Sequence, residues 1–121
     1  MEILTALFWL SLNCYHECRG EPELGKAYVT AVVLNRSEKS GKSIKEVILK
    51  ENQFSWTSSD TLFISEPKEL LSCTQSVLDA INLPIRKDIT HYHATYVKPR
   101  WAKKLRLAVT IGKHKFYKER I

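Results

Sequence analysis

Four prolines, Pro22, Pro67, Pro84 and Pro99, fix where helices can begin and end in this chain. Proline has no backbone N–H and clashes with the preceding turn, so it suits the first turn of a helix and is excluded from the interior. Before Pro22, Ile3, Leu7, Leu10 and Cys14 recur at helical spacing, forming one amphipathic stripe that Gly20 and Pro22 end. After Pro22, Tyr28, Val29, Val32, Val33 and Arg36 give the inner stripe of a second helix, closed by the basic loop SEKSGKS. Ser43 and Glu46 form a capping box for a short helix through Lys50. Pro67 opens a helix with Leu70, Leu71, Thr74, Val77, Leu78 and Ile81 on one face, and Pro84 follows its end.

From Ile89 the texture changes. ITHYHATYV is rich in β-branched and aromatic residues, Pro99 can begin a short helix PRWAKKL, and LAVTI-GK-HKFY reads as two strands around a Gly-Lys turn. Between the third and fourth helices, ENQFSWTSSD has no helical period and reads as a loop or short hairpin facing solvent or ligand. Helices first and a small antiparallel sheet in the C-terminal part make an α+β fold, mainly helical. At 121 residues, 1–121 is expected to be a single domain with one core.

Charge is unevenly spread: residues 1–85 carry a net −3 and residues 86–121 a net +9. A cationic C-terminal face suits a polyanion such as nucleic acid, anionic lipid or a bacterial envelope, and equally suits a solvated surface. Cys14, Cys18 and Cys73 are odd in number and lack a C-x-x-C pair, so neither a disulfide framework nor a zinc ribbon is expected. Cys14 and Cys18 read as small buried apolar residues. The run TALFWLSL follows Glu2 rather than a basic region, lacks a small-residue cleavage site and is too short to span a membrane. It reads as part of the first helix with no export signal, and the protein is expected in the cytoplasm of the producing cell until its release to the cell wall.

The first helical stripe continues from Cys14 by a step of three onto Glu17, a carboxylate where an apolar residue belongs. Burial and the negative end of the helix dipole both disfavour its ionised form, so a raised pKa is expected, as a general acid needs. Metal chemistry fits poorly. His16-Glu17 lacks the second histidine of H-E-x-x-H, the zinc deaminase pattern is absent, and His91 and His93 read as structural or substrate-binding before metal. SGKS lacks the first glycine of a P-loop, with Arg36 in its place, and no G-x-S-x-G elbow occurs. Acid catalysis by Glu17 remains. Glu21, one turn on, is either the second carboxylate or a charge partnered by Arg19 or Arg36.

HECRGE, then GKAYVTAVVLNR, then NQFSWT resemble the blocks E-A-R-G-E, A-V-V-L-N-R and Q-F-S of the cell-wall hydrolase family that includes the spore cortex-lytic enzymes and related phage endolysins. The closing THYHATYVKPRWAKKLRLAVTIGKHKFY is similar to that family's C-terminal block, so the resemblance runs from about residue 4 to residue 117. Cys18 stands where alanine is usual, and Ser58 to Asp88 matches no motif.

The resemblance implies a lysozyme-like fold and cleavage of peptidoglycan between N-acetylmuramic acid and N-acetylglucosamine, with Glu17 as the catalytic acid and no cofactor or metal. A lytic transglycosylase needs that one carboxylate; a muramidase wants a second. Gln53 is expected to bind an N-acetyl group or hold Glu17, and Phe54 and Trp56 to stack on sugars or fill the core. Tyr92, His93 and Tyr96 are expected to line the groove with Glu21, although strand alternation lets only some of His91, Tyr92 and His93 face one side. Trp101, Ile111 and Phe116 are expected in the core. A monomer in transient contact with an anionic envelope is anticipated; a non-catalytic basic polymer-binding domain is the rival reading.

Overall fold

The computed structural model describes residues 2–51, 56 and 64–119. Among them the chain forms helices α1 (Ile3–Cys18), α2 (Glu23–Ser40), α3 (Ile44–Glu51) and α4 (Pro67–Ile81), then strands β1 (Ile89–Ala94), β2 (Arg106–Ile111) and β3 (His114–Lys118). A 3-10 turn, Arg100–Lys104, links β1 to β2. The proline-set boundaries hold: Pro22 precedes α2, Pro67 is in the first turn of α4 and Pro99 precedes the 3-10 turn. The capping box is made in full, with Glu46 N–H donating to Ser43 Oγ at 3.1 Å and Ser43 N–H to Glu46 Oε1 at 3.2 Å. The α+β architecture expected from the sequence, mainly helical with a small antiparallel sheet in the C-terminal part, is what forms.

Helix α2 is the centre of the molecule and touches α1, α3, α4 and β1. It can do so because its inward residues are small or β-branched: Gly25, Ala27, Val29, Thr30, Ala31, Val32 and Val33 are all buried. Helix α4 starts where α1 ends, since the buried Tyr15 hydroxyl accepts the Glu66 N–H at 2.9 Å, and it packs back along α1. Among the described residues, Tyr15, Phe116, Ile48, Val29 and Val77 are the largest apolar side chains that are fully buried.

Two apolar stripes are placed differently from the sequence expectation. Ile3 is 71% exposed, and α1 instead buries Ala6, Leu10, Cys14 and Cys18. On α4, Leu71 is 70% exposed and Leu78 and Ile81 are also exposed, while Cys73, Ser76, Val77 and Ala80 face inward. The reason lies on α2. Its buried Lys26 donates to Ser72 Oγ at 3.1 Å, and Ser76 Oγ donates to Glu23 Oε2 at 2.7 Å, so the α4 contact face must be small and hydroxylated. Satisfying one buried ammonium outweighs presenting leucines, because an unpaired buried charge costs several kcal/mol (roughly 3–5).

The three thiols gather in this layer. Cys14 Sγ and Cys18 Sγ are 3.3 Å apart, and Cys73 lies beside Cys14; all three are free and buried. Hydrogen bonding among the thiols and then burial push Cys14 and Cys73 far above the ordinary thiol range.

The sheet is antiparallel in the order β1-β3-β2. Tyr92 and Val109 both pair with Phe116, on the face that packs against Tyr28 of α2. His91, His93 and Tyr117 take the opposite face, where Trp101 lies against all three. Alternation therefore separates Tyr92 from the two histidines, as a period of two requires.

Candidate functional site

A groove of about 790 Å³ runs from the C-terminal end of α1, past the Gly20-Glu21 turn and Arg36 of α2, to β1 and the segment Tyr96–Trp101. Glu17 stands in it. As the last polar residue of an otherwise apolar turn, flanked by the buried Cys14 and Cys18, it is held half-buried. Burial raises its carboxyl above the usual range, and a hydrogen bond from the Trp56 indole acts more weakly in the other direction. Such a carboxyl keeps a proton at a pH where exposed glutamates have lost theirs.

Trp56 stacks on His16, with ring centroids 4.6 Å apart and planes 16° from parallel. One ring face is thereby taken by His16, next in sequence to Glu17, and the indole lies near enough to that carboxyl to act on its pKa. This gives Trp56 a place in the acid's surroundings that its expected sugar-stacking or core role did not include.

Glu21 is tied down. Its Oε1 accepts the Lys113 N–H at 2.7 Å and pairs with His114 Nδ1 at 2.9 Å, with both side chains largely buried. Burial alone would raise this carboxyl. It is outweighed by the His114 hydrogen bond, the Lys113 backbone N–H and the neighbouring cations, so the net shift is downward. The partner is thus His114, ninety-three residues away, rather than Arg19 or Arg36. Arg19 instead pairs with Glu66 at 3.5 Å and covers the Tyr15 ring, and Arg36 donates to the Thr90 carbonyl at 3.2 Å. Gly112 makes the contact possible: its φ is +56°, and a Cβ there would lie 2.7 Å from Glu21 Oε1 and 2.9 Å from Pro22 Cδ.

His93 is engaged at both ring nitrogens, Nδ1 to the Ala94 carbonyl at 2.7 Å and Nε2 to the Tyr117 hydroxyl at 2.8 Å. The carbonyl can only accept, so Nδ1 carries a proton and, in the neutral ring, Nε2 accepts from Tyr117. His91 Nδ1 meets Thr90 Oγ1 at 3.0 Å, and burial, then the Arg36 charge, lower its pKa to about 4. Among the described residues no group of three His, Cys, Asp or Glu could hold a metal ion.

Tyr92 lines the groove and rests on His114 and Phe116, whereas Tyr96 is 82% exposed at the rim. Gln53 and Phe54 lie outside the described residues. Phe116 is in the core as expected and Ile111 is partly buried against it, but Trp101 is half-buried on the groove side of the sheet and belongs to the groove wall. Arg36, expected on the inner stripe of α2, also lines the groove, as do Asn13 and His114, which carried no local signal in the sequence.

A family model described as Cell Wall Hydrolase matches residues 20–117. Glu17 precedes that span; Glu21 falls within it. Among solved structures, the chain is 27% identical to the catalytic domain of the germination-specific lytic transglycosylase SleB from Bacillus anthracis, covering 93% of each chain with a TM-score of 0.76. It is 26% identical to the catalytic domain of the Bacillus cereus SleB protein, covering 93% of this chain and 89% of that one with a TM-score of 0.74. No curated protein matches the sequence.

Proposed function

Given that the chain belongs to the cell wall hydrolase family, we propose that it is a peptidoglycan lytic transglycosylase, cleaving between N-acetylmuramic acid and N-acetylglucosamine with Glu17 as its single acid and base. One observation carries this reading. Among the described residues the groove wall holds two carboxylates, one raised in pKa by burial and the other engaged by the Lys113 N–H and His114. A hydrolytic muramidase requires a second carboxylate as nucleophile or as base for water; Glu21 is committed to the hairpin.

The steps balance without water. Protonated Glu17 donates to the glycosidic oxygen as the bond to the muramic anomeric carbon breaks. The resulting carboxylate takes the proton from the muramic C6 hydroxyl, whose oxygen bonds to that carbon and closes the anhydro ring. Glu17 is thereby returned to its protonated form. Trp56, beside the same carboxylate, favours its ionised form and keeps the pKa from rising further.

The same proposal takes the protein to act as a monomeric, bacteriolytic endolysin of the phage type, held in the cytoplasm of the producing cell until it reaches the wall. This rests on the resemblance of HECRGE, AVVLNR and NQFSWT to the blocks of a family that includes phage endolysins beside the spore cortex-lytic enzymes. Purified peptidoglycan digested with wild type and with Glu17→Gln, followed by mass spectrometry, tests the mechanism. Anhydromuropeptides from wild type and none from the variant are expected. Reducing muramic ends would refute transglycosylation, and an active variant would refute the role of Glu17.

A further inference from the structure

Between residues 89 and 118 there are eight Lys and Arg residues and no Asp or Glu. Five of the cations, Lys98, Arg100, Lys103, Lys104 and Arg106, fall within nine consecutive residues, and all five are exposed. None of the five forms an ion pair among the described residues, whereas Arg19, Lys26, Lys39, Arg86 and Lys87 each do. The same short segment exposes large apolar side chains: Tyr96 is 82% exposed, Val97 45% and Leu107 49%.

The 3-10 turn and Leu107 lie on one sheet face, while Arg106, paired with Lys118, points to the other. Trp101 lies on His91, His93 and Tyr117, so the 3-10 turn crosses the sheet face turned away from α2. Leu107 pairs opposite Tyr117 on β3, and Tyr96 and Val97 form the adjoining groove rim. Isolated exposed apolar side chains are ordinary; apolar side chains interleaved with unpaired cations are a chemical pattern. A soluble polyphosphate would engage the cations and leave Val97 and Leu107 in water. A bilayer surface engages both, since apolar and aromatic side chains settle at the headgroup boundary while long cationic side chains reach the phosphates.

We infer that the face built from residues 96–105 and Leu107 is a peripheral docking surface for an anionic phospholipid bilayer, with Lys98, Arg100, Lys103 and Lys104 on the headgroups and Val97 and Leu107 entering the interface. No described helix is long and apolar enough to cross a membrane, so the contact is superficial. It sets the groove rim at Tyr96 beside the bilayer. Docking is separate from glycan cleavage and stands or falls without it.

The test is co-sedimentation of the full chain with phosphatidylcholine vesicles, with and without about one-third phosphatidylglycerol. Binding only to the anionic vesicles is expected. Lys98→Gln/Lys103→Gln/Lys104→Gln should weaken it roughly a hundredfold, at about fivefold per cation, and Val97→Ser/Leu107→Ser roughly tenfold from lost interfacial burial. Circular dichroism confirms that both variants fold. Absence of binding to anionic vesicles overturns the proposal. So does full retention of binding by Val97→Ser/Leu107→Ser, because the surface would then be one for soluble polyanions.

Discussion

Replacing Glu21 by alanine removes the acceptor that fastens the β2–β3 turn to the junction of α1 and α2. Two donors lose it, the Lys113 N–H and His114 Nδ1. Hydrogen bonds to a charged group contribute about 1.5–3 kcal/mol each. The Lys113 amide sits at an exposed turn and recovers water, so it falls at the low end; the His114 side chain, 8% exposed, has little solvent to turn to. The expected loss is about 3 kcal/mol.

For 121 residues the unfolding entropy is about 0.25 kcal/mol/K, so Tm should fall by roughly 12 °C. The loss is pH-dependent. Glu21 has its folded pKa lowered, so the unfolded chain binds more protons on acidification, and the stabilisation is full above the ordinary carboxyl value and fades as pH falls through the folded one. Urea unfolding of wild type and Glu21→Ala should therefore show a constant gap above about pH 5 that narrows in more acidic buffer. A gap below about 1 kcal/mol at pH 7, or one that does not narrow, would refute the fastening role.

Glu17→Gln should abolish glycan cleavage and raise stability at pH 7 by on the order of 1 kcal/mol, since a buried acid with a raised pKa destabilises the fold once pH exceeds the unfolded carboxyl value. Its gain over wild type in urea unfolding should vanish in acid. Gly112→Ala meets both an unfavourable φ and a collision with Glu21 and Pro22, and should lose about 3 kcal/mol, with part of that loss recovered in a Glu21→Ala background. His91, with its pKa near 4, should show no imidazole titration by NMR between pH 5 and 8. Because its folded pKa lies below the unfolded value, it withdraws stability as pH falls from 6.5 towards 4, and His91→Asn should flatten that acid slope. The three buried thiols should resist an aromatic disulfide reagent in the native state and react on unfolding.

Boundaries and turn chemistry were legible because they are written in neighbouring residues: Pro67 in the first turn of α4, Ser43 with Glu46, Gly112 with Lys113 between β2 and β3. Glu17 was legible for a related reason, as a carboxylate that interrupts a helical stripe. The inward face of α4 was not, because Lys26 on another helix selects Ser72, Cys73 and Ser76 over the leucines beside them. Glu21 with His114 and Trp56 with Glu17 escaped notice since each joins distant segments and leaves no period in either. Trp101, read as core, follows a strand that turns its histidines away from α2, and that choice of face is made only when the strand pairs with β3.

The strand order β1-β3-β2 has a consequence for synthesis. Strand β3 lies between the other two yet is the last of the three to leave the ribosome. Until it emerges, β1 and β2 have no described strand to pair with, His114 and Lys113 cannot reach Glu21, and the groove lacks that wall. The four helices precede this strand in the chain, and the groove is completed only by its arrival.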